Sequence, residues 1–379
     1  MNKIDPNLIK EVELLNNNNK SIECLIYSNN FFLTKKYLQN FKYKEFPFIK
    51  AFGLKLEKEK LLSLANLYHV NYITSVTKVS MQIDVSKEIL DIDCLYKQNI
   101  FGKDVTIAVI DTGIYPHIDF ICPKNKIIYF KDFINNQEYA YDDNGHGTFV
   151  AGVIGGNGTL NNKYKGVAPK SNLISLKALD KNGETGAFTI LEAMQWIYDN
   201  KEKYNIKVVC MSFGATPLNN NDPLIKGAER LWNSGVVVVA AAGNSGPMNE
   251  TIKSPGISNK IITVGALNDN RTEDDKYDKN LFEVAEFSSR GPAFNYYKPD
   301  CLANGVNIKG LKNDTSFYTK MSGTSVATPI VAGVCALLIE KYPKITPNQV
   351  KYILLNNCES LTKNHNLEGY GIIHINDKI

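Results

Sequence analysis

The sequence predicts an α/β chain in which a mainly parallel sheet, covered by helices on both faces, follows a small α+β sandwich. Three observations carry this. After residue 95, short runs that are apolar at nearly every position alternate with helical patterns. Strands apolar on both faces and separated by crossover helices form parallel sheets covered on both sides. Before residue 95, two helical segments interleave with strands in the rhythm of a small open-faced sandwich. The composition, 44% hydrophobic and 22% charged over 379 residues, is that of a globular protein and excludes disordered or collagen-like chains.

The elements follow in order. In the first region the pattern predicts strands at 21–28, 46–56 and 72–83, with helices at 31–41 and 57–69. In the second, buried strands are expected at 105–110, 172–179, 206–211, 235–242 and 261–265. Helices are expected at 188–200, 223–234 and 325–342. The change of rhythm sets the expected domains at 1–95 and 96–379. In parallel sheets of this kind, functional residues gather at the carboxyl ends of the strands.

Charge and cysteine usage narrow the function classes. Forty-three basic against 39 acidic side chains leave a net charge of +4, too small an excess to read as a nucleic-acid footprint. No apolar run approaches the roughly 18 residues that span a bilayer, so no membrane partner is expected. The polar start MNKIDPNLIKEVELLNNNNK lacks the apolar core of a secretory signal, and a cytoplasmic location is the expectation. Seven scattered cysteines without a CxxC pair read as reduced thiols, Cys210 and Cys335 being small core hydrophobes.

Four residues stand where chemistry is expected. Asp111 ends the buried strand in VTIAVIDTGI (105–114) and precedes a Thr-Gly turn. Its bland reading is a turn cap. His146 lies between Gly145 and Gly147 in DDNGHGTFVAGVIGG (142–156), at the entrance of an apolar helix. The flanking glycines allow close backbone approach and leave the ring open space. Ser325, in MSGTSVATPIVAG (321–333), opens a helix whose Pro329 is expected near the first turn. An N-cap serine is the bland alternative, but a helix N-terminus also offers free N–H groups and a positive dipole end to an oxyanion. Asn244 follows an apolar strand in AAAGNSG (240–246) and has an amide able to donate to developing negative charge.

Jointly these blocks resemble the subtilisin-like serine proteases (peptidase family S8), whose chain order is Asp, His, Ser. The likeness covers roughly residues 96–379 and is closest to the cytoplasmic AprX-like branch, with which it shares IYPH (114–117), YKGVAP (164–169) and FSSRGP (287–292). The resemblance implies a serine endopeptidase made as an autoprocessed zymogen. Ser325 is then the nucleophile, His146 the general base and Asp111 its orienting carboxylate. Asn244 and the Ser325 N–H form the oxyanion hole. Residues 1–95 look like the propeptide that assists folding and inhibits the enzyme, so the implied partners are polypeptide substrates and this segment. Self-cleavage is expected within 80–94.

The resemblance also implies a groove. Ser212, Phe213 and Gly214 of MSFGA (211–215) and Gly183, Thr185 and Gly186 of GETGAF (183–188) pair with substrate backbone. Ala241, Ala242 and Gly243 wall the first specificity pocket, and Lys253 stands at its floor. No cofactor is required. Many subtilases bind structural calcium, but the loop 155–166 has amides and no carboxylate, whereas calcium prefers several carboxylate oxygens. Asp142 and Asp143 read as solvated loop acids. Phe149, Val326 and Asn304 depart from the family pattern without touching the triad. The competing class is a catalytically weak pseudoprotease serving as a binding or regulatory module, which a missing triad residue or oxyanion asparagine would favour. All four are present. An esterase of the α/β-hydrolase type is opposed by the absence of a GxSxG elbow around Ser325.

Overall fold

The computed structural model describes residues 3–4, 8–9, 21–46, 50–75, 89–217, 222–272, 276–314 and 317–375. They fall into two compact units, Met1–Val79 and Ser80–Ile379. The boundary expected near residue 95 therefore lies earlier. Leu90, Ile92, Cys94 and Leu95 are buried in the core of the larger unit, and burying each such aliphatic side chain stabilises by roughly 1.5–3 kcal/mol. This packing assigns the segment to that unit.

The smaller unit contains β1 (Ile22–Ser28), α1 (Phe31–Tyr37), β2 (Tyr43–Phe46), β3 (Ala51–Leu56), α2 (Lys58–Ala65) and β4 (Val70–Ser75). The strands form one antiparallel sheet in the order β2-β3-β1-β4. Asn30 caps α1 by accepting from the Leu33 N–H at 3.1 Å. Phe31 stacks on Phe52 with ring centroids 4.2 Å apart, and Ile26, Leu38, Leu61, Leu64 and Ile73 complete the core. The run expected as one strand at 46–56 is instead a β2–β3 pair, with Tyr43 opposite Leu54 and Phe46 opposite Ala51. Pro47, which has no N–H for a ladder, follows β2. Of the strand expected at 72–83, β4 accounts for the first part, and 76–83 lie outside the described residues.

The larger unit is built on a ten-stranded sheet. Its elements run α3 (Asp93–Lys97), β5 (Thr106–Asp111), α4 (Ile118–Ile121), β6 (Ile127–Asp132), α5 (His146–Gly155), β7 (Asn172–Lys177), α6 (Ala187–Asn200), β8 (Ile206–Met211), α7 (Pro223–Asn233), β9 (Val237–Ala241) and β10 (Ile262–Asn268). There follow β11 (Glu283–Val284), β12 (Cys301–Asn304), the hairpin β13 (Ile308–Leu311) and β14 (Tyr318–Met321), α8 (Thr324–Lys341), α9 (Pro347–Asn356), β15 (Cys358–Glu359), α10 (His365–Glu368) and β16 (Ile372–Ile373). The sheet order is β15-β16-β12-β10-β9-β8-β5-β7-β6, with β11 beside β10. Every pair from β6 to β16 is parallel, while β11 and β15 pair antiparallel at their edges.

The parallel core explains why the central strands are apolar throughout: all side chains of β5 and β9 are buried. Helix α8 crosses this core, and most of its residues are buried. Among the described helices it alone is long and apolar enough to cross a membrane, and its surroundings here are protein. Pro329 lies six residues into α8, beyond the first turn, and removes the N–H that would bind the Ser325 carbonyl. All seven cysteines are free. Cys210 and Cys335 are fully buried, as their apolar runs suggested.

Candidate active site

Asp111 and His146 are brought together by the ends of β5 and α5. The Asp111 carboxylate is 1% exposed, and its Oδ1 accepts from His146 Nδ1 at 2.7 Å and from the Thr112 N–H at 2.8 Å. His146 is the first residue of α5, preceded by Gly145 at φ +107°, a left-handed backbone that glycine adopts without strain. Gly147 is required for a different reason. A Cβ there would fall on the Gly113 carbonyl oxygen and lie 3.1 Å from the Asp111 Cβ, so only a bare backbone lets the helix start against the end of β5.

Asp142, expected as a solvated loop acid, is instead buried and holds this arrangement. It is 5% exposed. Its Oδ1 accepts from Thr112 Oγ1 at 2.9 Å, Asn144 N at 3.1 Å and Gly145 N at 2.8 Å. Its Oδ2 accepts from Thr148 N at 2.9 Å and Thr148 Oγ1 at 2.6 Å. Thr112 Oγ1 in turn accepts from Gly147 N at 2.9 Å. The neighbouring Asp143 takes the ammonium of Lys177 at 2.6 Å, and this fully buried lysine also donates to Thr112 O and Leu179 O. A carboxylate following the Asp strand by some thirty residues and preceding a Gly-His-Gly was the available signal; its burial was not legible without the turn geometry.

The electrostatics act on His146. Burial alone would lower its pKa, but the charge and hydrogen bond of Asp111, with Asp142 behind, hold it above its ordinary value of 6.5. With Nδ1 facing a carboxylate, Nε2 is the ring nitrogen left to accept a proton.

Ser325 and Asn244 come together at the start of α8. The N-cap of α8 is Gly323, so Ser325 is the second helical residue and not the cap. A Cβ on Gly323 would lie 3.0 Å from Ser325 Oγ and 3.3 Å from Asn244 Nδ2, which shows that both polar atoms flank one point. Asn244 Oδ1 accepts from Thr324 N at 2.9 Å and Thr324 Oγ1 at 3.0 Å. The amide is thereby oriented with its Nδ2 free to donate. Thr324 Oγ1 also accepts from Gly243 N at 3.1 Å.

The expected groove residues fall into two places. Ser212, Phe213 and Gly214 continue from β8, and Ala241, Ala242 and Gly243 end β9 beside it. Ala215 and Ser254 exchange backbone hydrogen bonds of 2.9 Å, and Lys253 N donates to Ala242 O at 2.9 Å. Cβ atoms on Gly214 and Gly243 would both strike the stem of Lys253, so this side chain lies across the two walls. Gly183, Thr185 and Gly186 form an exposed turn before α6, tied to the His146 loop by Asn144 Nδ2 donating to Lys181 O at 3.0 Å.

The departures from the family pattern are absorbed locally. Phe149 is fully buried against Gly310, where a Cβ would lie 2.8 Å from its ring. Val326 is 1% exposed. Asn304 donates to Asp269 at 2.7 Å, and Asp269 pairs with Arg271. A calcium ion does not fit the loop 155–166. No group of three or more His, Cys, Asp or Glu side chains able to hold a metal occurs among the described residues, and Gly155 O and Asn157 Oδ1 already face the ammonium of Lys126.

An aspartate ending a buried strand, a histidine opening a helix against it, and a serine and an oriented amide beside one glycine are the arrangement expected of an α/β serine peptidase. Comparison with known proteins specifies the family. The subtilase family model (Peptidase_S8) matches residues 102–372. The serine protease AprX of Bacillus subtilis is 42% identical over 306 residues, covering 74% of this chain and 67% of that protein. A thermostable alkaline protease of Halalkalibacterium halodurans is 31% identical over 335 residues, covering 88% and 83%. Among solved structures, the chain resembles Sphericase (TM-score 0.65) and the S41 psychrophilic protease (TM-score 0.66). Each is 26% identical, with 79% of this chain and all of the other covered. The chain belongs to the subtilase family and is a serine endopeptidase.

Proposed function

We propose that this endopeptidase works through Ser325, His146 and Asp111, with Asn244 in the oxyanion hole, and is made as a self-processed precursor. The observation that carries the reading is the 2.7 Å contact between His146 Nδ1 and Asp111, together with the convergence of Ser325 Oγ and Asn244 Nδ2 around Gly323. Ser325 Oγ attacks the scissile carbonyl while His146 Nε2 takes its proton. Asp111 keeps the ring in the Nδ1–H tautomer and stabilises the imidazolium. The carbonyl oxygen, now negative, accepts from Asn244 Nδ2 and the Ser325 N–H at the positive end of α8. His146 then protonates the leaving amine, and a water activated by the same ring releases the acyl group.

Substrate backbone pairs with Ser212–Gly214 on one side and Gly183–Gly186 on the other, which is tolerant of sequence. Ala241, Ala242 and Gly243 wall the first pocket, and Lys253 at its floor has two readings: its ammonium runs outward and leaves an apolar pocket, or it faces the pocket and biases it toward acidic or polar side chains. The smaller unit serves as inhibitor and folding assistant, released by a cut between Ser80 and Cys94. Seven free cysteines support work in a reducing compartment such as the cytoplasm. The test is to incubate the purified chain with casein and map new N-termini by mass spectrometry, with Ser325→Ala as control. Processing and casein cleavage should both vanish in the variant. Wild-type turnover by Ser325→Ala, free of contaminants, would refute the mechanism, and a fully active enzyme still beginning at Met1 would refute the processing.

A further inference from the structure

Helix α5 ends with four carbonyls that have no partner inside the helix. Gly152 O accepts from Gly156 N at 2.9 Å, Val153 O from Val167 N at 3.0 Å and Ile154 O from Ala168 N at 2.7 Å. The fourth, Gly155 O, accepts from the side chain of Lys126. The same nitrogen donates to Asn157 Oδ1 at 3.0 Å and to Pro169 O. Lys126 is 7% exposed, and three acceptors surround its Nζ. Asp119, which is fully buried, holds the same loop by accepting from Leu160 N at 3.2 Å and from the Tyr318 hydroxyl at 3.3 Å.

The chemistry of this cradle selects a cation. Two main-chain carbonyls, a side-chain amide oxygen and a nearby carboxylate are the donor types a hard metal ion takes, yet the position is filled by the protein's own ammonium. Burial works against that charge and pushes the amine down to about 7, with Asp119 favouring the charged form and Lys165 opposing it. A neutral amine has only two N–H groups for three acceptors, so it leaves one oxygen buried and unpaired.

We propose that Lys126 is a tethered cation that closes the loop 155–166 onto the end of α5 opposite His146, doing for this loop what a bound calcium ion can do. It is a positioning residue, remote from the reacting atoms. The loop therefore needs no added metal. A surface cavity of about 280 Å³ lined by Lys124, Asn125, Lys126, Asn157 and Pro169 gives small solutes access to the cradle.

The test, which rests on the proposed mechanism only for silencing self-digestion, uses the full chain carrying Ser325→Ala at a pH below neutral, with the uncut chain followed without added protease as its control. In this background, thermal unfolding and the rate of nicking within 157–165 by an added protease should be unchanged between a calcium chelator and millimolar calcium. Adding Lys126→Ala should speed nicking by roughly tenfold or more. Ethylammonium should slow it again, while ethanol at equal concentration should not. Should Lys126→Ala fail to fold, Lys126→Met, which keeps the stem and loses the charge, carries the same expectation of faster nicking. The proposal is overturned if the chelator exposes the Lys126-containing chain and calcium protects it. It is equally overturned if ethanol rescues as well as ethylammonium, or if Lys126→Met is as protected as its parent.

Discussion

The two halves of the proposed active site are held by different chemistry. On the histidine side, carboxylates do the holding: buried Asp111 on the ring, buried Asp142 across five hydrogen bonds, and the more exposed Asp143 on the buried Lys177. On the serine side, the holders are uncharged, with Thr324 orienting Asn244 and backbone N–H groups at the start of α8. The difference follows from what each half must do in the proposed reaction. A general base needs a fixed tautomer and a pKa raised by standing negative charge. An oxyanion hole must meet charge that appears only in the transition state, and a resident carboxylate there would repel it.

The contrast can be broken most completely at the junction. Ser325→Ala should lower kcat by about 10⁶-fold, and adding His146→Ala should cost little more, because the two act as a unit. A double variant much slower than either single one, measured on the same peptide, would contradict that unity. Asn244→Ala tests the uncharged half alone. It should lower kcat by roughly 10²–10³ with KM nearly unchanged, the cost of one oxyanion donor as found in subtilisin itself. A rise in KM at constant kcat would place the amide in ground-state binding instead.

Asp142→Asn probes the charged half without touching a reacting atom. An amide NH₂ would face N–H donors, so stability should fall by about 1–3 kcal/mol, read as a lower thermal midpoint. In the wild type, kcat/KM should rise with pH through a pKa above 6.5, as His146 loses the proton that Asp111 and Asp142 favour. In Asp142→Asn that apparent pKa should move down, since one of the raising charges is gone. An unmoved profile with full stability would remove Asp142 from the argument. The smallest effect is expected at Lys253, whose stem lies against Gly214 and Gly243 and which belongs to neither half. Lys253→Gly should lower the ratio of Glu to Leu peptides cleaved by a few-fold, and less so at high salt. A ratio unchanged by the substitution would assign Lys253 no part in specificity.

The parallel sheet was legible because both-face burial leaves continuous apolar runs: β5, β7, β8, β9 and β10 all fall within two or three residues of their expected ends. The short strands β12, β13, β14 and β16 were not, since two to four residues carry too little periodicity to distinguish them from loop. The boundary at Val79–Ser80 escaped for a related reason. Residues 89–95 read as a tail of the first rhythm, and only tertiary contact assigns them to the second core. In the candidate site, Asp111, His146, Ser325 and Asn244 were singled out by flanking glycines, strand ends and a helix start, and the structure brings Asp111 to His146 and Ser325 to Asn244. Asp142 and Lys126 were not singled out, because burial of a charged side chain is decided by partners that meet in space. The Asp142 partners come from Thr112 as well as from its own turn, and those of Lys126 from Gly155, Asn157 and Pro169.

The distribution of free thiols has a practical consequence for spectroscopy. Of the seven, Cys122 and Cys358 are partly exposed and the other five are buried. Burial pushes Cys24 and Cys210 up to about 12 and holds Cys358 far above the ordinary thiol range, which withholds the reactive thiolate from all three. A maleimide dye added to the native chain should therefore attach first at Cys122. The carbonyl of this residue accepts from Asn157 Nδ2 and Thr159 Oγ1, so the label reports directly on the loop that Lys126 closes. The chain thus has a built-in attachment point for watching that loop open in real time, with no cysteine to introduce or remove.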